Sequence, residues 1–303
     1  MKMVTPMNFH EELINRVKEL EQIIRSYLPE ETGFQKTIFL AMNYSILGGG
    51  KRLRPMLIQE TYRLFGGEKE EIIRPFIAAM EMIHTYSLVH DDLPAMDNDD
   101  YRRGRLTTHK VFGEDMGILT GDALLNYAFE TACIAFSVKD CPYERVAKAL
   151  TVMSKKAGVY GMVGGQVVDV ELTNQPINKE QLQFIHELKT GALIESSMMI
   201  GAILAGAKEE EVLLVEEIAT NVGLAFQIKD DILDVTSTIE ELGKPTHSDE
   251  KNEKTTYVTL YGIEKAQEKV QEVSEKAVEI YDNLEYKNEF LRELILYLVT
   301  RRK

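Results

Sequence analysis

The sequence predicts an all-α protein, and three features of its 303 residues support this expectation. Apolar residues recur at three- and four-residue spacing through long segments, whereas alternation of apolar and polar residues is rare. Only 8 prolines are present, and the 20 glycines gather at a few places, so long stretches contain no helix breaker. An apolar content of 44% is ample for a large buried core. Without repeats or composition shifts, we expect one domain over residues 1–303.

Short breaks separate the predicted helices. They fall near Pro29–Gly33, Gly66–Glu68, Pro94–Gly104, Lys139–Pro142, Thr173–Asn178 and Asn283–Tyr286. One break is longer: residues 236–256 are charged and carry the sequence GKP in their middle. A polar loop of that length is either disordered or a functional lid.

Charge, cysteine content and hydropathy narrow the function classes. A net charge of −14 argues against a nucleic-acid binder, which normally shows a basic patch. Cys133 and Cys141 form no CxxC pair and no disulfide framework, so we expect a cytoplasmic protein. The first 17 residues lack the apolar core of a signal peptide. The most apolar run, residues 193–207, is short for a bilayer and contains Glu195, which predicts a buried core helix and no membrane span.

The first of two acidic clusters lies in HDDLPAMDNDDYRRG, residues 90–104. Like charges at this density are tolerated on a solvated loop or where a cation lies between them. Residues 77–93 are predicted to be helical, and Pro94 disfavours the helical conformation in Leu93. We expect the chain to leave the helix at Leu93 and fold back, which would bring Asp97 beside Asp91.

The second acidic cluster lies in GLAFQIKDDILD, residues 223–234. On a helix, Asp230 and Asp231 lie four and three residues before Asp234, so all three share a face. Gly223 and Gln227 extend that face. A solvated acidic edge is the simpler interpretation, but such an edge does not usually hold its acids within an apolar segment.

The two clusters together predict a metal site. Carboxylate oxygens are hard ligands, and without His or Cys at metal spacing nearby they suit Mg²⁺. Because Mg²⁺ readily shares its shell with phosphate oxygens, we expect a phosphate or diphosphate bridged by metal between the clusters.

Basic residues offer separate candidates for binding an anion. They are Lys51, Arg52 and Arg54 in GGGKRLRP, Arg102 and Arg103 after the first acids, Lys189 beside Thr190, and Lys244 in the long break. GGGKRLRP is not a P-loop, because Arg52 stands where Ser or Thr is required. Each residue alone could be a solvated charge, and for Lys244 that interpretation is favoured. Arginine forks well onto phosphate oxygens, so the set indicates two anionic ligands, one bound through metals and one directly.

These motifs resemble the trans-isoprenyl diphosphate synthases (polyprenyl synthetases), and among them the bacterial farnesyl diphosphate synthases most. DDLPAMD followed by RRG resembles the first aspartate-rich motif in its bacterial form, and DDILD resembles the second. GGKRLRP, HTYSL, GDALL, GMVGGQVVD, KTGAL, GLAFQIKDD and LGKP follow in the family's order. The resemblance runs from about Gly48 to Thr259. Residues 246–257 match only through Lys254, Thr255 and Tyr257.

The resemblance implies a role for each site residue. The Mg²⁺ sites, expected to hold three ions for which Mn²⁺ can substitute, would use Asp91, Asp92, Asp97, Asp230, Asp231 and Asp234. The allylic diphosphate would be held by Arg102, Lys189 and Lys244, and isopentenyl diphosphate by Lys51, Arg54, His84 and Arg103. Thr190 and Gln227 would lie along the reacting carbons, and Lys254 would bind substrate. The basic end of the chain, Arg301–Lys303, resembles the tail that closes over the isopentenyl site in relatives.

The resemblance also implies the isoprenoid synthase fold, in which antiparallel helices surround a deep central cavity, usually in a homodimer. The implied reaction is condensation of isopentenyl diphosphate with an allylic diphosphate, through ionisation, condensation and proton loss. A terpene cyclase would not need the second anion site, and a non-catalytic partner subunit would be expected to have lost acids. A P-loop kinase is disfavoured by the missing Ser or Thr.

Product length is expected to depend on Tyr86. It lies five residues before Asp91, about 7 Å down a helix that rises ~1.5 Å per residue. Ser87 is small and lies nearly beneath Asp91. Because relatives with an aromatic residue here tend to stop at C15, we expect farnesyl diphosphate as the main product. Geranylgeranyl (C20) and geranyl (C10) diphosphate remain alternatives.

Overall fold

Helices with short connections dominate residues 7–173, 175–236 and 255–300, the parts of the chain that the computed structural model describes. In chain order the helices are α1 (Phe9–Ser26), α2 (Lys36–Ile46), α3 (Leu53–Leu64), α4 (Glu70–Asp91), α5 (Thr108–Phe112), α6 (Glu114–Cys133), α7 (Tyr143–Ala157), α8 (Met162–Glu171), α9 (Lys179–Ile185), α10 (Ala192–Ala205), α11 (Glu209–Thr236), α12 (Tyr257–Tyr261), α13 (Ile263–Asp282) and α14 (Glu289–Thr300). A 3₁₀ turn (Ile134–Ser137) follows α6, and a π-helix (His186–Gly191) joins α9 to α10. The predicted all-α class is confirmed.

The strand content of the described residues is one small hairpin. Strands β1 (Tyr101–Arg102) and β2 (Arg105–Leu106) pair antiparallel, with Tyr101 opposite Leu106. The turn between them contains Arg103 and Gly104, both at positive φ. This hairpin begins inside the predicted break at Pro94–Gly104 and ends two residues beyond it. It was not expected from the sequence, because two-residue strands leave no alternating pattern.

Several helix ends are fixed by local side-chain chemistry. The Asn178 side chain accepts a hydrogen bond from the Gln181 backbone, and the Gln181 side chain accepts one from the Asn178 backbone. This reciprocal pair satisfies two backbone donors that the first turn of α9 leaves without partners. At the other end of the same long run, Gly206 has a φ of 94°, a conformation that glycine adopts without strain and that ends α10.

Helix α10 lies in the middle of the core. All of its residues except Ile203 and Ala205 are buried, which confirms the predicted core helix. The apolar run at residues 193–207, which is short for a bilayer by itself, overlaps a longer helical segment. That continuous segment, Lys179–Ala205, is long and apolar enough among the described residues to cross a membrane by length and composition alone. However, 78% of its most apolar window is buried inside the protein, as in the core helix of a soluble protein.

The glycine-rich segment before α3 is anchored by a buried ion pair. Gly49 and Gly50 have φ of 88° and 144°, and Arg52 adopts the left-handed conformation with φ of 50°. The buried Arg52 guanidinium donates from Nη1 to Glu81 Oε1 at 2.5 Å and from Nη2 to the Ile46 carbonyl at 2.8 Å. The segment is therefore fastened to α4, and Arg52 serves the fold rather than presenting its charge to a ligand.

Candidate active site

Two neighbouring cavities meet at the π-helix. The larger, about 680 Å³, is bordered mainly by apolar side chains of α4, α6 and α8. The smaller, about 200 Å³, is bordered mainly by polar side chains of α8, α9 and α11. Lys189 and Thr190 line both cavities. The two sequence-predicted residues of the KTGAL motif thus stand where an apolar chamber joins a polar one.

The first acidic cluster folds back as predicted. The backbone N–H of Asp97 donates to the carbonyl of Asp91 at 2.9 Å, and the N–H of Asn98 donates to the carbonyl of Leu93 at 3.1 Å. One detail of the prediction was wrong, because α4 ends at Asp91, two residues before the expected end at Leu93. The bonding tightens there: the Leu93 N–H reaches back only three residues, to the His90 carbonyl. Asp91 and Asp97 are therefore close neighbours at the end of a helix.

Asp91 borders the larger cavity and is held by a neighbour from α8. Its Oδ1 accepts a hydrogen bond of 2.6 Å from the Gln166 side-chain amide. Burial raises the pKa of the Asp91 carboxyl above its usual range, Lys189 opposes that rise, and Asp97 and Asp92 add to it. Neighbouring like charges disfavour ionisation of Asp91, so a cation bound here would stabilise its ionised form.

Asp92 faces a different recess. It is buried, and both of its oxygens accept from Arg102 Nε, at 2.7 and 2.9 Å. Asp92, Arg102 and Arg103 border a small recess on the side of α4 that faces α2 and the β hairpin. Asp92 therefore borders a different cavity from Asp91, and its carboxylate is paired with the Arg102 guanidinium.

The second acidic cluster is brought to the polar cavity by a close helix contact. A Cβ added at Gly223 would lie 3.1 Å from the Gly191 Cα, so α11 approaches the π-helix at that point. Gln227, Asp230 and Asp231 follow Gly223 along α11 and line the smaller cavity. Asp231 is also held by α12, since its Oδ2 accepts from the Tyr257 backbone N–H at 2.7 Å. Asp234, one turn further on, is buried.

Lys189 lies among the acids of the first cluster and Asp169 of α8. Its Nζ donates to Asp169 Oδ2 at 2.6 Å. Burial lowers the pKa of the Lys189 ammonium, but Asp169, Asp91 and Asp97 together raise it above its usual value. A cation that stays charged in a partly buried site is well suited to hold a diphosphate.

Arg54, His84 and Arg103 form the predicted second basic set. Burial lowers the pKa of Arg54 to about 10, with Glu81 opposing and Arg103 adding to the shift, and its Nε is buried without a partner among the described residues. Burial and then the charges of Arg54 and Arg103 hold the pKa of His84 well below its usual range. Arg103 donates to the carbonyl of Gly49. The two guanidinium groups concentrate positive charge beside the neutral His84 imidazole, an arrangement suited to binding an anion.

Lys51 lines a different cavity from the two described above. It is exposed and borders an apolar groove between α1 and α14, with Leu13 and Tyr297 among its neighbours. The predicted residues Lys244 and Lys254, most of the long break and the basic end Arg301–Lys303 lie outside the described residues.

Tyr86 and Ser87 both border the larger cavity, together with Asp91. Tyr86 is only 6% exposed, and burial, with the nearby Asp91 charge, raises the pKa of its phenol to about 12. Its ring packs edge-on against His90, with centroids 5.9 Å apart. Ser87 Oγ donates to the His84 carbonyl at 2.8 Å. The aromatic ring therefore stands in the wall of the apolar chamber, below the first acids.

Two polar residues of the site, Gln166 and Asp169, were missed by residue-level reasoning. They lie three apart on α8, which the segment GMVGGQVVD forms, and so share a face. Any side chain at Gly165 would overlap the backbone of the π-helix, so this glycine lets α8 approach closely enough for both residues to reach their partners. The available signal was a pair of glycines directly before polar residues at helical spacing.

The donors present fit a hard divalent cation. Carboxylate oxygens predominate at both clusters, and burial, with the neighbouring Asp97 and Asp92, raises the pKa of Asp91. Within the described part of the chain, no three acidic, histidine or cysteine side chains already converge on one point at metal distance. Such a donor set suits an ion that keeps waters and shares its shell with a bound phosphate, as Mg²⁺ does.

Comparison with known proteins agrees with the site. The polyprenyl synthetase family model matches residues 35–294. The chain is 42% identical to a farnesyl diphosphate synthase of Micrococcus luteus over 93% of its length and 94% of that protein. It is 43% identical to a geranylgeranyl diphosphate synthase of Cyanophora paradoxa over 91% of its length and 90% of that protein. A Helicobacter pylori geranyltransferase, solved with magnesium and isoprenyl diphosphate, superposes with a TM-score of 0.83 at 32% identity, covering 97% of each chain.

These matches extend over nearly the whole chain and share the helical architecture described above. They confirm the predicted isoprenoid synthase fold and the predicted enzyme class, and both farnesyl and geranylgeranyl synthases are found among the relatives. The chain therefore belongs to the polyprenyl synthetase family and is a short-chain trans-prenyltransferase.

Proposed function

We propose that the enzyme makes (E,E)-farnesyl diphosphate, by condensing isopentenyl diphosphate with dimethylallyl and then geranyl diphosphate. The observation that carries the C15 product is the position of Tyr86. Its ring borders the apolar cavity together with Asp91, where a chain growing away from the first acids must pass. A buried phenol whose pKa is raised to about 12 stays neutral and acts as a bulky wall.

Two anion sites divide the substrates. Lys189 and Arg102 would hold the allylic diphosphate on the side of the acids, with Lys244 and Lys254 as further proposed contacts. Arg54, His84 and Arg103 would hold isopentenyl diphosphate. Lys51, which borders another groove, would also contact it. Thr190 and Gln227, at the junction of the cavities, would lie along the reacting carbons.

The metal role is assigned to both clusters. Asp91, Asp92, Asp97, Asp230, Asp231 and Asp234 would hold three Mg²⁺ ions, or Mn²⁺ in their place. When bound, these ions supply the positive charge that stabilises the departing diphosphate. Lys189 adds a fixed positive charge beside it, and Gln166 orients the Asp91 carboxylate. The apolar lining excludes water from the allylic cation, and the released diphosphate accepts the proton.

A second candidate is geranylgeranyl diphosphate. It is favoured by the volume of the apolar cavity, about 680 Å³, and by the small Ser87 beside Tyr86 in its wall. The similarity to relatives named as geranylgeranyl diphosphate synthases also supports this alternative. We rank it second because the aromatic ring of Tyr86 also borders that cavity, whereas a chain that continued past it would need the ring to move aside.

The deciding experiment is mass spectrometry of the products formed from isopentenyl diphosphate with each allylic starter. We expect C15 from the wild type and a shift to C20 or longer from Tyr86→Ala. Tyr86→Phe is the matched control and should keep C15, because it preserves the ring. A wild-type product of C20 would overturn the C15 assignment, and an unaltered Tyr86→Ala would move the stop elsewhere.

We further propose a cytoplasmic homodimer built from one domain of residues 1–303. An apolar side chain on the outer face of α6 supports the dimer, since Leu119 is 49% exposed. A charged Leu119→Arg should give a monomer in light scattering after gel filtration. Closure of the basic end, Arg301–Lys303, over the isopentenyl site belongs to the same proposal. Its test is removal of those three residues, which should raise KM for isopentenyl diphosphate.

A further inference from the structure

The His90 ring occupies space that a side chain on α6 would otherwise take. His90 is the last residue but one of α4, and the residue facing it on α6 is Gly121. A Cβ added at Gly121 would overlap the Nε2, Cδ2 and Cε1 atoms of the imidazole. Gly121 therefore forms a recess, and only glycine allows the ring to lie there.

The ring is fixed on two sides. On one side, His90 Nε2 is 3.0 Å from the carbonyl oxygen of Ile118, in the same turn of α6 as Gly121. A carbonyl oxygen can only accept, so Nε2 carries the proton and donates. On the other side, Tyr86 lies four residues earlier on α4, and its ring meets the imidazole at 85° with centroids 5.9 Å apart. The imidazole thus fills the space between the α6 backbone and the Tyr86 phenol.

Tyr86, His90 and Ile118 all border the larger cavity, and Gly121 is buried behind them. If the imidazole were absent or displaced, the Tyr86 ring would lose the surface that keeps it from turning towards α6. The cavity would then lengthen without any change in the residue that blocks it.

We propose that His90, seated in the recess at Gly121, is a positioning residue that holds the Tyr86 ring across the path of the growing chain. Gly121 then controls product length from outside the cavity. This inference rests on the proposed role of Tyr86 as the stop for chain growth.

The experiment compares product distributions of the full-length enzyme, by mass spectrometry with geranyl diphosphate as starter. We expect His90→Ala and Gly121→Ala each to raise the share of products longer than C15 several-fold. Ala128→Gly, at a buried position two turns along α6, is the matched control. It weakens the same helix without touching the imidazole, so it should lower Tm and leave the distribution unchanged.

Two double variants separate positioning from general damage. Because the clash at Gly121 is with the imidazole, His90→Ala/Gly121→Ala should regain the Tm lost in Gly121→Ala and match the products of His90→Ala. If His90 acts through Tyr86, adding His90→Ala to Tyr86→Ala should change nothing further. Should Gly121→Ala fail to fold, His90→Ala and the two doubles still decide the matter.

Three outcomes overturn the inference. Wild-type products from His90→Ala, while Tyr86→Ala lengthens them, would leave the C15 proposal intact and remove the role of His90. A further lengthening when His90→Ala is added to Tyr86→Ala would show that His90 does not act through Tyr86. If Tyr86→Ala alone changes nothing, the proposed stop is wrong and the inference is overturned with it.

Discussion

The two acidic clusters hold their carboxylates in different ways. In the first cluster, Asp91 stands at a helix end and is held by Gln166 from α8, while Asp92 is held by Arg102 from the β hairpin. In the second cluster, the acids lie along one helix, α11, and Asp231 accepts a hydrogen bond from the Tyr257 backbone N–H. The first cluster is thus held by side chains from α8 and the β hairpin, whereas the second includes a backbone donor at the start of α12. A substitution at Gln166 therefore tests the side-chain support of the first cluster.

The largest expected effect comes from removing a carboxylate at either cluster. Asp91→Ala and Asp230→Ala should each lower kcat by about 10³-fold or more, because each removes charge stabilisation that matters mainly in the transition state. Steady-state kinetics with saturating Mg²⁺ measures this. The control is Asp100→Asn, whose exposed pair with Lys110 should be worth little. Full turnover in excess EDTA would contradict the metal assignment for both clusters.

The next effect concerns the basic set. Arg54→Ala should raise KM for isopentenyl diphosphate by about 10²-fold, as expected for a half-buried guanidinium that makes charge-assisted bonds to an anion. The KM for the allylic partner should change much less. Arg105→Ala offers a comparison, because this exposed arginine stacks on Tyr44 nearby. A rise confined to the allylic KM would show that the two anion sites are exchanged.

Gln166→Ala tests the contrast between the clusters directly. It removes the amide that orients Asp91, so kcat should fall roughly tenfold, consistent with the ~1–3 kcal/mol of a hydrogen bond to a charged group. Gln166→Glu would place a second carboxylate against Asp91. Its kcat should be lower than that of Gln166→Ala at low Mg²⁺ and should increase as the Mg²⁺ concentration rises. If Gln166→Ala has wild-type kcat, the first cluster does not need its support from α8.

A smaller effect is expected on stability as the pH changes. The pKa of His84 in the folded state lies below its unfolded value, because of burial and the nearby arginines. The unfolded state therefore binds the proton more readily, and stability is lost as pH falls below about 6.5. Thermal unfolding without ligand from pH 7.5 to 5 should show this decline, and His84→Gln should flatten it. An equal decline in both proteins would assign the effect to other groups.

Local features of the site could be predicted from the sequence, whereas contacts between distant residues could not. Pro94 was enough to predict that Asp97 folds back beside Asp91, because the rule acts between adjacent residues. The spacing of Gln227 and Asp230 predicted a shared face for the same reason. The Gln166 bond to Asp91 joins residues 75 positions apart, and no periodicity encodes such a pairing. Likewise, the sequence alone did not distinguish Arg52 from Arg54 as a candidate for anion binding, because the partner of Arg52, Glu81, is 29 residues away.

The π-helix at His186–Gly191 makes the packing of α9 sensitive to the deletion of a single residue. A π turn holds one residue more than the α-helix around it, so it is equivalent to a one-residue insertion absorbed within a continuous helix. Deleting one residue there, for instance Glu187, would restore regular bonding but rotate everything before the deletion by ~100° relative to α10. Lys189 and Thr190 follow that residue and would keep their orientation relative to α10. Helix α9 would turn its buried Leu182 and Ile185 away from the core. The extra residue thus sets the rotation between α9 and α10, so that the buried side chains of both helices face the core.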